Sequence, residues 1–203
     1  MYRENLVECQ EAFSSPIVTH SAVTYSILCK YLKERKITIL DIGTGSGCII
    51  LSLISSLENS NGIGIDISKN AILVAKKNLQ RFKLSNRVKF INRSFERLFD
   101  KKFDLVVSNP PYIDQKDIKN LSNDVKRYEP RIALDGGNHG LDLIKKVIYK
   151  SKNILRVKGM LALEIGNEQI KKVSKILVDN NFRIIHVIKD YKNNVRCVFA
   201  LFR

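Results

Sequence analysis

Asn109-Pro110-Pro111-Tyr112 joins residue types suited to chemistry on an amide or amino nitrogen. Proline fixes φ and has no backbone N–H, and it restricts the residue before it, so the carbonyls of Asn109 and Pro110 are held in set directions. Two such acceptors can take both N–H groups of a planar –NH2, and the Tyr112 ring can lie flat against it. By type alone, the same four residues also fit a rigid strand-exit turn. The preceding run, Phe103-Asp104-Leu105-Val106-Val107-Ser108, reads as a buried strand and puts the segment at the lip of a sheet.

A second cluster is Leu40-Asp41-Ile42-Gly43-Thr44-Gly45-Ser46-Gly47. Its glycines permit a tight turn and close approach of a ligand to the backbone. The spacing is G-x-G-x-G rather than the G-x-G-x-x-G of a dinucleotide loop. Asp41 would repel a pyrophosphate and attract the ammonium of a methionine moiety. Asp66 follows the loop by roughly 20 residues, where an acid can hold two ribose hydroxyls. Two acids without a phosphate-binding lysine point to S-adenosylmethionine as the ligand. A bracing or capping role for Asp41, or a plain turn role for Asp66, is the structural alternative.

Positioning these clusters requires alternating strands and helices. The pattern predicts a helix over His20 to Lys36, with Val23, Ile27, Leu28, Tyr31 and Leu32 inward. It predicts strands over Ile37 to Ile42, Gly62 to Ile67, Val88 to Asn92, Phe103 to Ser108 and Gly159 to Ile165. Helices are predicted over Cys48 to Leu57, Lys69 to Phe82, Leu141 to Leu155 and Glu168 to Asn180. In the Lys69 helix, Ile72, Leu73, Ala75 and Leu79 should face inward. Ile184 to Lys189 and Val195 to Phe202 read as a hairpin closed by Tyr191-Lys192-Asn193-Asn194, with Lys189, Asp190 and Lys192 as solvated charges. The alternation implies a mostly parallel α/β sheet covered on both faces, with one antiparallel strand from the hairpin. Ligands of such sheets bind at strand carboxyl ends, so the glycine loop and Asn109–Tyr112 should face one crevice. The polar stretch from Ile113 to about Gly137 is long for a structureless loop, which suggests a function.

The bulk properties exclude several classes. The 203 residues suit one domain over 19–203 with a poorly defined extension over 1–18, and 44% apolar content supports a real core. No apolar run approaches the length of a membrane span, and the N-terminus lacks a signal pattern, so a soluble cytoplasmic protein is expected. Cys9, Cys29, Cys48 and Cys197 show no metal-binding spacing, and no disulfide framework is expected. The net charge of +15 fits RNA, a ribosome or another acidic partner, and equally fits a general compositional bias.

Three segments carry a family resemblance: Asp41 to Gly47, Val107 to Ile113, and Tyr128-Glu129-Pro130-Arg131-Ile132-Ala133-Leu134-Asp135-Gly136-Gly137 with Gly140-Leu141-Asp142. Leu163-Glu164-Ile165-Gly166 and the final hairpin add to it. From about Ile37 to Arg203 the chain resembles the class I S-adenosylmethionine methyltransferases, and within them the release-factor glutamine methyltransferases (the PrmC/HemK family). The resemblance implies a Rossmann-like seven-stranded sheet. It implies that Asp41 and Gly43, Thr44, Gly45, Ser46 and Gly47 wrap the cofactor, that Asp66 holds its ribose, and that Phe95 lies beside the adenine. Asn109, Pro110, Pro111 and Tyr112 would grip a substrate glutamine, with Asn109 also near the cofactor. Asn109, Pro110 and Tyr112 would be catalytic, with peptide chain release factors as partners and no metal.

At 203 residues, the chain is expected to be without the N-terminal helical domain that family members usually carry. Ser15-Pro16-Ile17-Val18-Thr19-His20-Ser21 stands where members carry an Arg and an acid, and Ser94 stands where an acid commonly precedes the aromatic position. Asn-Pro-Pro-Tyr is shared with nucleic-acid amino methyltransferases, and the Glu129 to Gly137 segment recurs in a ribosomal-protein glutamine methyltransferase. These are the alternatives, with a degenerate non-catalytic remnant as a third.

Overall fold

The computed structural model describes Leu28, Leu32 and residues 35–97, 101–121, 133–190 and 192–203. Among the described residues, three strands lie side by side over 38–92 and four over 103–202. The chain divides after Arg97 into two compact units. Of the N-terminal helix expected over 20–36, only Leu28 and Leu32 are described, and both are helical and buried. The 15–21 segment and Glu129, Arg131 and Ile132 lie outside the described residues.

In the first unit, β1 (Thr38–Ile42), β2 (Asn61–Asp66) and β3 (Val88–Asn92) are parallel neighbours. Ile39, Leu40 and Ile42 are all buried, the near-continuous apolar pattern of a strand covered on both faces. Helix α1 (Cys48–Ser56) leaves the glycine loop and buries Ile50, Leu51, Leu53 and Ile54. Helix α2 (Lys69–Arg81) is capped by Ser68, whose Oγ accepts from the Ala71 N–H at 3.2 Å. It buries Ile72 and Ala75, and Leu79 is half-buried. Leu73, expected inward, is 50% exposed. One residue turns the helix by about 100°, so Leu73 falls outside the stripe that Ile72, Ala75 and Leu79 share.

In the second unit, β4 (Phe103–Ser108) runs parallel to β5 (Leu155–Glu164). Helix α3 (Asp142–Ile154) leads straight into β5, which starts earlier than Gly159. The pairing passes from Phe103 opposite Leu155 to Leu105 opposite Met160, so residues 156–159 bulge outward. Lys158 there has φ +63°, and an Arg156–Asp104 ion pair of 3.0 Å spans the bulge. The exposed bulge breaks the apolar run, which is why the pattern reads as a strand only from Gly159. Helix α4 (Ile170–Asp179) buries Val173 and Leu177.

Strand β7 (Val195–Phe202) inserts between β5 and β6 (Phe182–Lys189), antiparallel to both. Its Cys197, Val198, Phe199 and Ala200 are buried, as a central strand requires. The hairpin corrects one expectation. Asp190 is not a solvated charge: its side chain is 3% exposed. Its carboxylate accepts from the Lys192 and Asn194 backbone N–H groups, the Asn194 amide and Arg196 Nε. Burial pushes the carboxyl up, but those donors together outweigh burial and hold it well below the usual carboxylate range. Among the described residues, no helix is long and apolar enough to cross a membrane.

Candidate active site

The glycine loop leaves the carboxyl end of β1. The backbone N–H groups of Gly43 and Thr44 both donate to the Ile65 carbonyl at 2.9 Å, pinning the loop to β2. Asp41 is 1% exposed, and its Oδ2 accepts from Thr44 Oγ1 at 2.7 Å. Its Oδ1 is buried with no hydrogen-bond partner among the described residues. Burial pushes this carboxyl up to about 7; the Thr44 hydrogen bond opposes that and the charge of Asp66 reinforces it. A cation reaching Oδ1 would satisfy the orphaned acceptor and restore the charge.

The three loop glycines divide their work. Gly43 (φ +70°) and Gly45 (φ +56°) have open space where a Cβ would stand. Gly47 (φ +82°) instead faces inward, where a Cβ would come within 2.6 Å of the Phe90 ring. Ligand access therefore lies over Gly43 and Gly45, and Gly47 serves packing. Ser46 is held by its carbonyl, which accepts from Asn78 Nδ2 at 3.0 Å.

Asp66 ends β2 and braces the loop. Its Oδ2 accepts from the Gly45 N–H at 2.9 Å and its Oδ1 from the Ser68 N–H at 2.8 Å. Each oxygen keeps further acceptor capacity for a hydroxyl. Asn92 Nδ2 donates to the carbonyls of Asp66 and Ile67, which fixes the backbone after the acid. An open cavity of about 400 Å³ is lined by Ile67, Asn92, Arg93, Ser94 and Arg97. Ile67 is 56% exposed, an apolar side chain without a cover. Phe95 is half-buried in the 3-10 turn beside this cavity. Ser94 Oγ accepts from the Glu96 N–H at 3.2 Å, so it caps that turn in place of the acid usual there.

These features fit S-adenosylmethionine. The orphaned Asp41 oxygen suits its ammonium, the open faces of Gly43 and Gly45 its backbone-hugging portion, Asp66 its ribose, and the cavity beside Ile67 its adenine.

In the second unit, Asn109–Tyr112 leaves the carboxyl end of β4. Pro110 is buried, and Asn109, Pro111 and Tyr112 are half-buried. The side-chain amide of Asn109 makes no hydrogen bond among the described residues. The backbone around it is fixed from the other side. The Ile113 N–H donates to the Leu134 carbonyl, the Gly136 N–H to the Ile113 carbonyl, and the Gln115 N–H to the Gly137 carbonyl. A two-residue bridge, Ile113 with Asp135, results. The long stretch after Tyr112 thus returns to lie along it.

The glycines of the returning segment make this possible. A Cβ on Gly136 would stand 2.8 Å from the Pro111 carbonyl oxygen and 2.9 Å from Tyr112 Cα. A Cβ on Gly140 (φ +66°) would collide with the Tyr112 carbonyl oxygen. Asp135 Oδ1 accepts from the Gly137 N–H at 3.0 Å, a local bracing role.

Known proteins match this chain in sequence and in fold. A family model described as a methyltransferase domain matches residues 33–130. The magnesium protoporphyrin IX methyltransferase of Synechocystis, solved with bound S-adenosylmethionine, superposes with a TM-score of 0.65 at 18% identity, over 92% of this chain and 81% of that one. The chain thus shares the fold of that methyltransferase, and nearly half of it matches the methyltransferase-domain model. By sequence it is similar to the release factor glutamine methyltransferase of Fusobacterium nucleatum, 42% identical over 80% of this chain and 46% of the relative. It is also similar to the ribosomal protein uL3 glutamine methyltransferase of Francisella tularensis, 41% identical over 65% of this chain and 42% of the relative. The chain thus spans less than half the length of each of these two relatives.

Two residues beside Asn109–Tyr112 have no role that the sequence announces. Glu164, at the end of β5, is 9% exposed, and the Tyr112 hydroxyl donates to its Oε1 across 3.4 Å. Burial pushes the Glu164 carboxyl up to about 7, and the Tyr112 hydrogen bond and the charge of Arg196 lower it only in part. Burial, with the Glu164 charge adding to it, pushes the Tyr112 hydroxyl up to about 12, so the ring stays neutral. The second is Gln169. Its Nε2 lies 2.9 Å from the Tyr112 carbonyl and 3.1 Å from the carbonyls of His139 and Gly140, while its Oε1 accepts from the Gly166 N–H at 2.8 Å. The only sequence signal for either was their place in and after Leu163-Glu164-Ile165-Gly166.

Proposed function

We propose that this chain transfers a methyl group from S-adenosylmethionine to the side-chain amide nitrogen of a glutamine in a peptide chain release factor. The observation that carries the reading is the Asn109 amide, free of partners among the described residues, on a backbone braced by Gly136, Gly140 and Gln169. A site built to hold still what it does not itself use is a site for a ligand. The 42% identity to a release factor glutamine methyltransferase supports the acceptor class. Such substrates place the enzyme in the cytoplasm with the translation machinery.

Bound S-adenosylmethionine supplies an electrophilic methyl group on a sulfonium. Asp41, Gly43, Gly45 and Asp66, with Thr44, Ser46 and the cavity beside Ile67 and Phe95, hold it. Gly47 sets the turn from inside. The remaining work falls to the second unit. An amide nitrogen is a poor nucleophile, because its lone pair is delocalised into the carbonyl. The Asn109 side-chain oxygen and the Pro110 carbonyl each accept one N–H of the target. Two acceptors on two donors orient the nitrogen and favour the positive charge that develops on it. Pro111 stiffens the exit, and Tyr112 packs against the amide plane. As the new C–N bond forms, the donor's methyl–sulfur bond would break to leave a neutral thioether, and one amide proton would pass by these acceptors to solvent. Orientation of this kind contributes several kcal/mol, up to roughly 7–11 in favourable intramolecular models.

The 41% identity to a uL3 glutamine methyltransferase supports a second acceptor with the same amide chemistry. The test uses methyl-labelled S-adenosylmethionine with release factor, its Gln→Ala variant, uL3 and nucleic acid in parallel. Label on release factor that disappears in the Gln→Ala variant supports the proposal. Label on uL3 alone reassigns the partner, and label on nucleic acid alone overturns the reading.

A further inference from the structure

We infer that Gln169 is a positioning residue for the glutamine clamp, acting through the Tyr112 carbonyl. The inference rests on the proposed function and deepens it by assigning what sets the clamp's geometry. Gln169 lies 57 residues from Tyr112 in sequence, just before α4, on a turn that follows β5. One side-chain amide joins three stretches of backbone. Its Nε2 faces the carbonyls of Tyr112, His139 and Gly140, and its Oε1 takes the Gly166 N–H.

The donor pattern leaves one orientation for this amide. Three carbonyls can only be met by the –NH2, and an N–H only by the oxygen. Two N–H groups shared among three acceptors make one of those bonds bifurcated, so the tie is a bracket rather than a single link. The bracket sits where the chain cannot adjust by itself. Gly140 already approaches Tyr112 so closely that a Cβ would strike its carbonyl oxygen, and a Cβ on Gly166 would lie 3.1 Å from Gln169 Oε1. The Tyr112 carbonyl is on the residue that ends the clamp. That carbonyl lies in the Tyr112–Ile113 peptide, so holding it fixes ψ of Tyr112 and with it where the Tyr112 Cα and ring stand relative to the bridged Ile113.

Gln169 has no route to the reacting nitrogen except through that backbone, so its effect belongs to turnover rather than to cofactor binding. Misplacement of reacting groups by about 1 Å costs on the order of a hundredfold in rate. Gln169→Met keeps the volume and loses the bracket. Gln169→Glu keeps the shape and is rescued by acid, because a protonated carboxyl donates to a carbonyl while its other oxygen still accepts from Gly166. His139 and Asp114, paired at 3.5 Å beside the bracket, and Glu164, which faces the Tyr112 hydroxyl, are common to every variant. Profiles are therefore compared as ratios to the unsubstituted chain.

The experiment measures kcat, KM, cofactor Kd and hydrogen exchange of the Tyr112–Lys116 segment on the full chain, well below its unfolding temperature. We expect Gln169→Met to lower kcat about tenfold to a hundredfold with cofactor Kd unchanged, and to speed exchange in that segment at least about tenfold. Gln169→Glu should show the same losses above neutral pH and regain both readouts as pH falls. Unchanged kcat and exchange in Gln169→Met, or pH-flat ratios for Gln169→Glu, would overturn the inference. If the unsubstituted chain puts no label on glutamine, the proposed function fails. The exchange readout then still decides the bracket by itself.

Discussion

The Tyr112 hydroxyl and Glu164 Oε1 face each other at 3.4 Å, tying the last residue of the clamp to the end of β5. Glu164 is an acid placed where burial favours its neutral form, with a pKa near 7 instead of 4.5. Between those values the folded state binds the proton more tightly than the unfolded state. The stability this contributes is full below about 4.5 and is lost as pH rises through about 7. Asp41 acts with the same sign from its own value of 3.8. Glu164→Gln should therefore flatten part of the fall in Tm between pH 5 and 8 and gain roughly 2–3 kcal/mol at the upper end. Thermal melts of both proteins across that range check it. Parallel curves would show that the carboxyl does not titrate there.

Asn109→Ala removes one of the two acceptors for the target –NH2 and leaves the glycine loop untouched. Turnover should fall by about a hundredfold or more, with cofactor Kd within about twofold of the original. Calorimetric binding and methyl-transfer rates measured on one preparation separate the two. Equal losses in both would sink the division of roles between loop and clamp.

Asp41 makes cofactor affinity depend on pH. Its carboxyl is pushed up to about 7, mainly by burial, and an ammonium at the orphaned Oδ1 restores its charge. Affinity should climb as pH rises toward 7, with release of a proton on binding. It should decline above about 8, where an α-amine loses its charge. Calorimetry in buffers of different ionisation enthalpy reads the proton directly. Asp41→Asn should lose the rising limb, and an unchanged limb in that variant would exclude Asp41 as its source.

Asp66→Ala should weaken cofactor binding by more than the loss of ribose contacts, because the Gly45 N–H also loses its acceptor. Asp66→Asn retains one acceptor oxygen and should fall between Ala and the original. Ranking the three dissociation constants tests this. Asn as weak as Ala would mean that the charge, not the brace, matters.

Gly140→Ala combines a positive φ with a collision on the Tyr112 carbonyl oxygen. It should cost about 2–4 kcal/mol and lower Tm by several degrees. Gly43→Ala also has a positive φ but meets open space, so it should cost only about 1 kcal/mol. Chemical denaturation of both variants compares strain alone with strain plus collision.

The sequence by itself determined the elements and their order. Val88–Asn92 and Phe103–Ser108 appear at the bounds that their apolar runs predict, because burial on both faces leaves a continuous local signal. It also placed Asp66 within one residue of the carboxyl end of β2, and Asn109 directly after β4. Where local pattern and burial part company, it misread. Leu73 is apolar yet faces outward, and the bulge over 156–159 hid the start of β5. Only the tertiary structure decided what braces the site. Gln169 and Glu164 reach Tyr112 across 57 and 52 residues, and Asp190 becomes the buried hub of a turn that read as solvated. No periodicity encodes such ties. They depend on one donor meeting one acceptor after the chain has folded, and a side chain's partners are set by whatever backbone the fold brings within about 3 Å of it.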